Sequence, residues 1–259
     1  MLLIGSIQNK MLKKVIAILQ VRSASTRLPN KIHLKINDKS ILEIISQRLC
    51  NLDVKEKWLA TTTLNSDDRL ADIGLELGWK VFRGSSKNVL SRFESIISFS
   101  DPDYVIRLTG DNPLVEASGI NYILKKFYST RYSPLYLSDF DSRLYPIGAF
   151  PEIFEAAYFK SVNLALNPKL DFHLSHVTSW LRKNVKQVEM NLGNDYPSKP
   201  GWRWTLDTKE DYDFLTQLDA STSRKLISLN YKEIVSHLEG HPELVFVNKN
   251  VQVKNIELG

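Results

Sequence analysis

Val15-Ile-Ala-Ile-Leu19 runs directly into Gln20-Val-Arg-Ser-Ala-Ser-Thr-Arg-Leu-Pro-Asn-Lys31. The first five residues form an unbroken aliphatic run, the pattern of a strand covered on both faces. The next twelve are polar and carry two Arg, one Lys and three hydroxyls. Ligands of open α/β sheets bind outside the carboxyl ends of strands, so a loop at this place is where chemistry is sought. Cations, hydroxyls and free backbone N–H groups together suit a polyphosphate. The Gly-rich framework and Gly-Lys-Ser/Thr ending of a Walker loop are absent. A plain solvated loop is the alternative reading of the same residues.

Outward from this stretch the rhythm repeats. Ser40 is placed to cap a helix over 41–52, with apolar residues at 41, 42, 44, 45, 49 and 52. The pattern then predicts a strand at 58–61, a helix over 67–77 closed by Gly78, a strand at 81–82, a helix over 89–99 and a strand at 103–108. Strands alternating with helices indicate βαβ units and a mainly parallel sheet. Beyond about residue 118 the pattern loosens. Helices are expected over 120–128, 153–166, 174–184, 209–218 and 234–238, strands at 186–190 and 202–206, and extended chain at 244–247. Residues 135–150 are aromatic and Pro-broken, reading as strands or a flap. The expectation is an α/β fold, three-layer α/β/α with a mainly parallel mixed sheet. One domain spans 13–259, with 132–200 as an inserted segment. Residues 1–12 read as an extension in which Met11 offers a second start.

Composition narrows the function classes. The 259 residues carry 34 Lys+Arg against 29 Asp+Glu, a net charge of +5, with 43% hydrophobic and 24% charged residues. These values exclude collagen-like, coiled-coil and disordered chains. One cysteine, Cys50, excludes a disulfide scaffold and a multi-cysteine zinc site, and points to a reducing, cytoplasmic compartment. On its helix Cys50 reads as a core residue. No apolar run approaches the roughly 18–20 residues that cross a bilayer, so no membrane is expected. The basic excess is small and interleaved with acids, which argues against a nucleic-acid surface and for a small anion such as a nucleotide. The histidines have no zinc spacing; His33, His237 and His241 read as surface residues.

Two further blocks follow expected strands. Arg107-Leu-Thr-Gly-Asp-Asn-Pro-Leu114 presents Asp111 at the end of one, and Trp204-Thr-Leu-Asp-Thr-Lys-Glu-Asp211 presents Asp207 at the end of another. Each Asp could serve as a turn former or helix cap. Their recurrence at one sheet edge equally suits a shared Mg²⁺, a hard cation that takes oxygen ligands.

Taken in order, these blocks resemble the cytidylyltransferases of the spore-coat-polysaccharide F type, relatives of CMP-Kdo synthetase that make CMP-activated sugar acids. Gln20 to Lys31 matches the family's first loop, with Ala24 and Asn30 where glycines are usual. Leu59-Ala-Thr-Thr-Thr63, Arg83-Gly-Ser-Ser-Lys-Asn-Val-Leu-Ser-Arg-Phe93, Arg107 to Leu114 and Leu206 to Asp211 match four more blocks, so the resemblance covers residues 15 to about 217. It implies a nucleotide-diphospho-sugar transferase fold of the glycosyltransferase-A type. Arg22, Ser25, Arg27 and Lys31 would hold the triphosphate. Gln20, Thr61 to Thr63, Arg83, Gly84 and Thr109 would serve the nucleotide, and Asp111 and Asp207 would hold Mg²⁺. Arg27, Lys31, Asp111 and Asp207 would be the catalytic set. CTP and a small anionic acceptor would be the substrates, in a homodimer. Asn112, Tyr145, Glu152 and His176 would face the acceptor.

The acceptor segment departs from the family pattern. Tyr-Pro-Asp-Gly-x-Asp-x-Glu-x-Phe is here Tyr145-Pro-Ile-Gly-Ala-Phe-Pro-Glu-Ile-Phe154, so Ile147 and Phe150 replace two acids. Arg-Glu-His-Val-Thr becomes Leu174-Ser-His-Val-Thr178. A less polar acceptor is one consequence; packing of the apolar pair against a partner subunit is the other. A sugar-1-phosphate nucleotidyltransferase or glycosyltransferase on the same fold, and a non-catalytic nucleotide-binding protein, are the competing functions.

Overall fold

A computed structural model describes residues 13–128, 136–157, 160 and 171–252. Among the described residues the strands are β1 (Val15–Gln20), β2 (Lys35–Ile36), β3 (Lys39–Ser40), β4 (Glu56–Thr62), β5 (Lys80–Gly84), β6 (Tyr104–Thr109), β7 (Tyr136–Ser138), β8 (Glu152–Glu155) and β9 (Val188–Glu189). β2 and β3 form a small hairpin. The other seven make one sheet in the order β5-β4-β1-β6-β8-β7-β9. β1, β4, β5 and β6 run parallel, whereas β8 is antiparallel to both β6 and β7.

The helices are α1 (Ile41–Arg48), α2 (Asp68–Glu76), α3 (Val89–Ser100), α4 (Ala117–Tyr128), α5 (Asp171–Ser175), α6 (Ser179–Asn184), α7 (Lys209–Ser221), α8 (Tyr231–Gly240) and α9 (Pro242–Phe246). Ser40, Thr208 and Asn230 start α1, α7 and α8 with reciprocal caps to Glu43, Asp211 and Glu233. Alternation along β1 builds the layers. Val15, Ala17 and Leu19 join one apolar cluster with α1, α4, α7 and α8, while Ile16 and Ile18 join another with Phe93, Ile96 and Ile97 of α3 and Leu181 of α6. Each fully buried aliphatic side chain contributes about 1.5–3 kcal/mol, so both faces of the sheet hold it flat between helices. Register brings Gln20 level with Ala60 on one side and Thr109 on the other, so the parallel strands end at one edge.

Several expectations need correction. The start of the helix expected over 153–166 is strand β8. Ile153 enters one cluster and Phe154 the other, and a strand buried on both faces cannot be told from a helix by its apolar run alone. Residues 161–166 lie outside the described residues, as does the extension 1–12. Residues 174–184 form two helices broken at 176–178. Residues 202–206 form no strand; Arg203 makes a single bridge to Ile147. Residues 244–247 fall mostly in α9, because Pro242 at its first position is already set for helix. Cys50 is exposed, lying just past the end of α1 rather than on its buried face. His33 is half-buried, its ring within 3.0 Å of the Ser23 hydroxyl.

Candidate active site

The loop after β1 is held from below. The Ser23 N–H donates to Asp67 at 2.8 Å, and the hydroxyls of Thr61 and Thr62 donate to the same carboxylate. Asp67 is buried; burial pushes its carboxyl up, but these hydrogen bonds outweigh that and keep it below the usual range. The Thr61 and Thr62 hydroxyls are therefore engaged in shaping the strand end. Arg83 likewise donates to the Thr62 and Leu64 carbonyls and pairs with Asp68. Gly84 is small for a reason, since a Cβ there would lie 2.8 Å from the buried Arg92 stem. Gln20 accepts from Arg107 at 3.3 Å. Arg22 is exposed and Ser25 half-buried in the loop.

At the other end of the loop Asp111, just past β6, and Asp207, just before α7, converge. The Leu206 N–H donates to the Asp111 carbonyl at 2.7 Å, which draws the chain before Asp207 alongside Asp111. Lys31 reaches both: its ammonium lies 2.8 Å from Asp207 and 3.7 Å from Asp111. Arg27 pairs with Asp207 at 2.9 Å and Arg203 pairs with it at 3.1 Å. Burial pushes the Asp207 carboxyl up, but Lys31, Arg27 and Arg203 hold it below the ordinary carboxylate range. Thr109 donates to Asp111. Arg203 is fixed by a fork onto the fully buried Asp211, at 2.8 and 3.0 Å. Asp211 is the anchor of this corner.

Oxygen donors that face one cationic atom are what a hard divalent cation requires, so Asp111 and Asp207 fit Mg²⁺. Among the described residues no group of three or more His, Cys, Asp or Glu is gathered. Two carboxylates with the remaining positions left to water and phosphate is the arrangement Mg²⁺ ordinarily takes.

Beside this corner lies a cavity of about 190 Å³ whose lining includes Thr109, Asn112, Tyr145, Glu152 and His176. Two of the expected acceptor groups are committed elsewhere. Glu152 accepts from Arg107, from Tyr136 and from the Thr178 hydroxyl at 2.9 and 3.0 Å. Burial pushes its carboxyl up, yet Arg107 and Arg182 outweigh this and keep it ionised. It is the counter-ion of two arginines. The Tyr145 hydroxyl accepts the Leu192 N–H at 2.7 Å, leaving its ring to pack against Phe150 and Tyr231. Phe150 packs into a ring cluster with Tyr145, Tyr196 and Tyr231 within its own chain, and both it and Ile147 line the cavity. Asp67, Arg143, Arg182 and Arg203 were not legible as site residues, because nothing local marks an arginine or aspartate that acts across the fold.

The family model for cytidylyltransferases matches residues 16–246. The uncharacterised protein MJ1063 of Methanocaldococcus jannaschii is 31% identical over 252 residues, covering 93% of this chain and 97% of that protein. The spore coat polysaccharide biosynthesis protein SpsF of Bacillus subtilis is 27% identical, covering 88% and 95%. A solved cytidylyltransferase from Leptospira borgpetersenii superposes with a TM-score of 0.81 at 25% identity, over 94% of this chain and all of that one. The sheet order and this superposition are those of the nucleotide-diphospho-sugar transferase fold.

Proposed function

The chain belongs to the cytidylyltransferase family and is a nucleotidyltransferase; from that premise we propose that it transfers CMP from CTP to a small hydroxylated acid, releasing pyrophosphate, with Mg²⁺ as cofactor. The observation that carries this reading is the convergence of Lys31, Asp111 and Asp207 at the sheet edge, beside a cavity of a size for a second substrate. Its likeness to 3-deoxy-manno-octulosonate cytidylyltransferases supports a sugar acid as acceptor, and its likeness to SpsF a role in surface polysaccharide or glycoconjugate synthesis.

In this mechanism the triphosphate lies along the loop 20–31. Arg22, Arg27 and Lys31 offset charge on the phosphoryl oxygens and the leaving pyrophosphate. The ion pairs of Arg27 and Lys31 with Asp207 hold both cations at the edge, ready for phosphate. Asp111 and Asp207 would hold Mg²⁺, which supplies Lewis-acid neutralisation of phosphoryl charge. The acceptor oxygen attacks the α-phosphorus in line from the side of Asn112 and the cavity. Positioning and electrostatics suffice, and no protein nucleophile is required. With Glu152 engaged by arginines, His176 is the cavity's candidate proton acceptor near neutral pH. The protein acts in the cytoplasm as a homodimer, the segment 132–200 serving acceptor binding and subunit contact.

The test is binding of CTP, UTP, GTP and ATP with Mg²⁺, followed by pyrophosphate release against a panel of sugar acids and sugar 1-phosphates. Preference for CTP and release with an acid supports the proposal. Release only with a sugar 1-phosphate, or binding without release for every acceptor, overturns it.

A further inference from the structure

We propose that Arg143 and Arg182, which flank the Phe140 ring, form a subsite for the carboxylate of the acceptor, a subsite outside the blocks that mark the family. This rests on reading the cavity as the acceptor's. The Arg182 guanidinium carbon lies 4.0 Å from the centre of the Phe140 ring and that of Arg143 lies 4.6 Å from it. Stacking on an aromatic face fixes a guanidinium while leaving its N–H groups available in its plane. All three side chains line the cavity.

Arg182 is ion-paired with Glu152 at 4.0 Å, but neither guanidinium has a hydrogen-bond acceptor among the described residues, and Arg182 Nε is buried without one. Buried N–H groups in proteins are nearly always satisfied, so an orphan on a residue that lines a cavity calls for an explanation, and a bound anion supplies one. The acids nearby are already used. Glu152 takes Arg107, Tyr136 and Thr178. Asp139 accepts from the Ser142 hydroxyl and the Leu144 and Tyr145 N–H groups. Of the charged lining, three arginines (107, 143, 182) face two carboxylates (139, 152), an excess of one positive charge.

Arg143 also sits in a conformation that its sequence neighbours must enforce. Its φ is +50°, the left-handed region that side chains with a Cβ avoid. Its N–H donates to the Asp139 carbonyl at 2.9 Å, and the Asp139 carboxylate ties down the two residues that follow it. An arginine held in strained backbone by its neighbours is consistent with a positioned binding residue. The rest of the lining includes Pro146, Ile147, Phe150 and Pro151, so the anion is one end of a ligand with an apolar face. Guanidiniums bind carboxylates in bidentate pairs, and an acid acceptor brings a carboxylate to this cavity.

The probe is pyruvate, the smallest 2-oxo acid, with pyruvamide as its neutral counterpart and inorganic phosphate as the competing anion. Each is titrated into the full chain with CTP and Mg²⁺ present, while arginine Nε–Hε NMR signals are followed. Pyruvate is expected to move the signals of Arg143 and Arg182, and pyruvamide to move neither. Arg143→Gln and Arg182→Gln should each weaken pyruvate binding about tenfold and leave CTP affinity unchanged. Arg143 lies in a turn outside the core, so its variant stays informative should Arg182→Gln lose its fold, which melting reports. Shifts confined to the loop arginines 22 and 27, equal effects of acid and amide, no shift, or tighter phosphate binding at the same pair would each overturn the carboxylate subsite. The CTP titration separates the two levels. If CTP does not bind, the nucleotidyltransfer reading fails; if CTP binds and pyruvate misses the pair, only the subsite fails.

Discussion

The carboxylate of Asp67 accepts a hydrogen bond at 2.8 Å from the backbone N–H of Ser23, across 44 residues of sequence. Through it the end of β4 and the start of the loop after β1 are fixed to one buried charge. Ser23 in turn contacts His33, so the brace spans the loop from its first residues to the turn that carries Lys31.

Asp67→Ala removes an acceptor shared by Ser23, Thr61 and Thr62. Each donor left unsatisfied costs about 1–3 kcal/mol. The variant is expected to melt lower and to bind CTP more weakly, and Asp67→Asn to recover part of both. Unchanged CTP affinity in Asp67→Ala would show that the brace does not shape the nucleotide loop.

Asp111→Asn and Asp207→Asn should each reduce turnover a hundredfold or more, the scale of losing a key electrostatic group. Their stabilities should differ. Asp207 carries Arg27, Lys31 and Arg203, whereas among the described residues Asp111 has one cation, Lys31 at 3.7 Å, and a hydrogen bond from Thr109. Melting and pyrophosphate release at saturating Mg²⁺ are the readouts; near-wild-type release in both variants removes the metal assignment.

Gly148 sits at φ +92°, and a Cβ there would stand 2.7 Å from Asn112 Oδ1 and 3.1 Å from the Thr205 nitrogen. Gly148→Ala is expected to cost about 1–3 kcal/mol in backbone strain and to displace Asn112. Denaturant titration measures the first. A raised KM for the acceptor at constant CTP affinity measures the second.

Ile147 and Phe150 separate in behaviour. Phe150 stands 5.0 Å from Tyr145, 5.4 Å from Tyr231 and 5.6 Å from Tyr196, ring centre to ring centre. Phe150→Asp should destabilise by at least about 3 kcal/mol, the cost of losing a packed ring, before any charge is counted. Ile147→Asp should fold normally and shift acceptor choice toward hydroxyl-rich acids, while the unmodified protein turns over Kdo poorly. Efficient Kdo turnover by the unmodified protein would remove this account of the substitutions.

Glu56 supplies a pH signature remote from the site. Burial pushes its carboxyl up, but hydrogen bonds from Lys14, Ser100, Trp58 and Lys80 hold it down at about 2, against an ordinary 4.5. A carboxyl with a lowered folded-state pKa adds stability that is fully present above its unfolded value and is lost as pH falls through the folded one. Glu56→Gln should therefore differ most from the parent above pH 4.5 in denaturant titrations, the gap closing toward about 2. A constant gap would assign the effect to packing.

What the chain determines by itself is local. The run 15–19, the caps at Ser40 and Thr208 and the strand-helix alternation to about residue 118 each follow from side chains within a turn or two of one another. They place the loop 20–31 and Asp111 at one sheet edge before any contact is known; Asp207 reaches it through the tertiary bond from the Leu206 N–H to the Asp111 carbonyl, since the strand expected before it does not form. The tertiary structure decided which charges meet. Lys31 finds Asp207 across 176 residues, and Arg107 finds Glu152 across 45. Glu152 becomes a buried counter-ion and β8 a strand because both lie between apolar layers supplied by distant helices. The pairing of Arg143 with Arg182 about Phe140 has the same origin. Hydrophobic period and capping act over a few residues, whereas the partner and burial of a charge depend on whichever segments the packed sheet brings beside it.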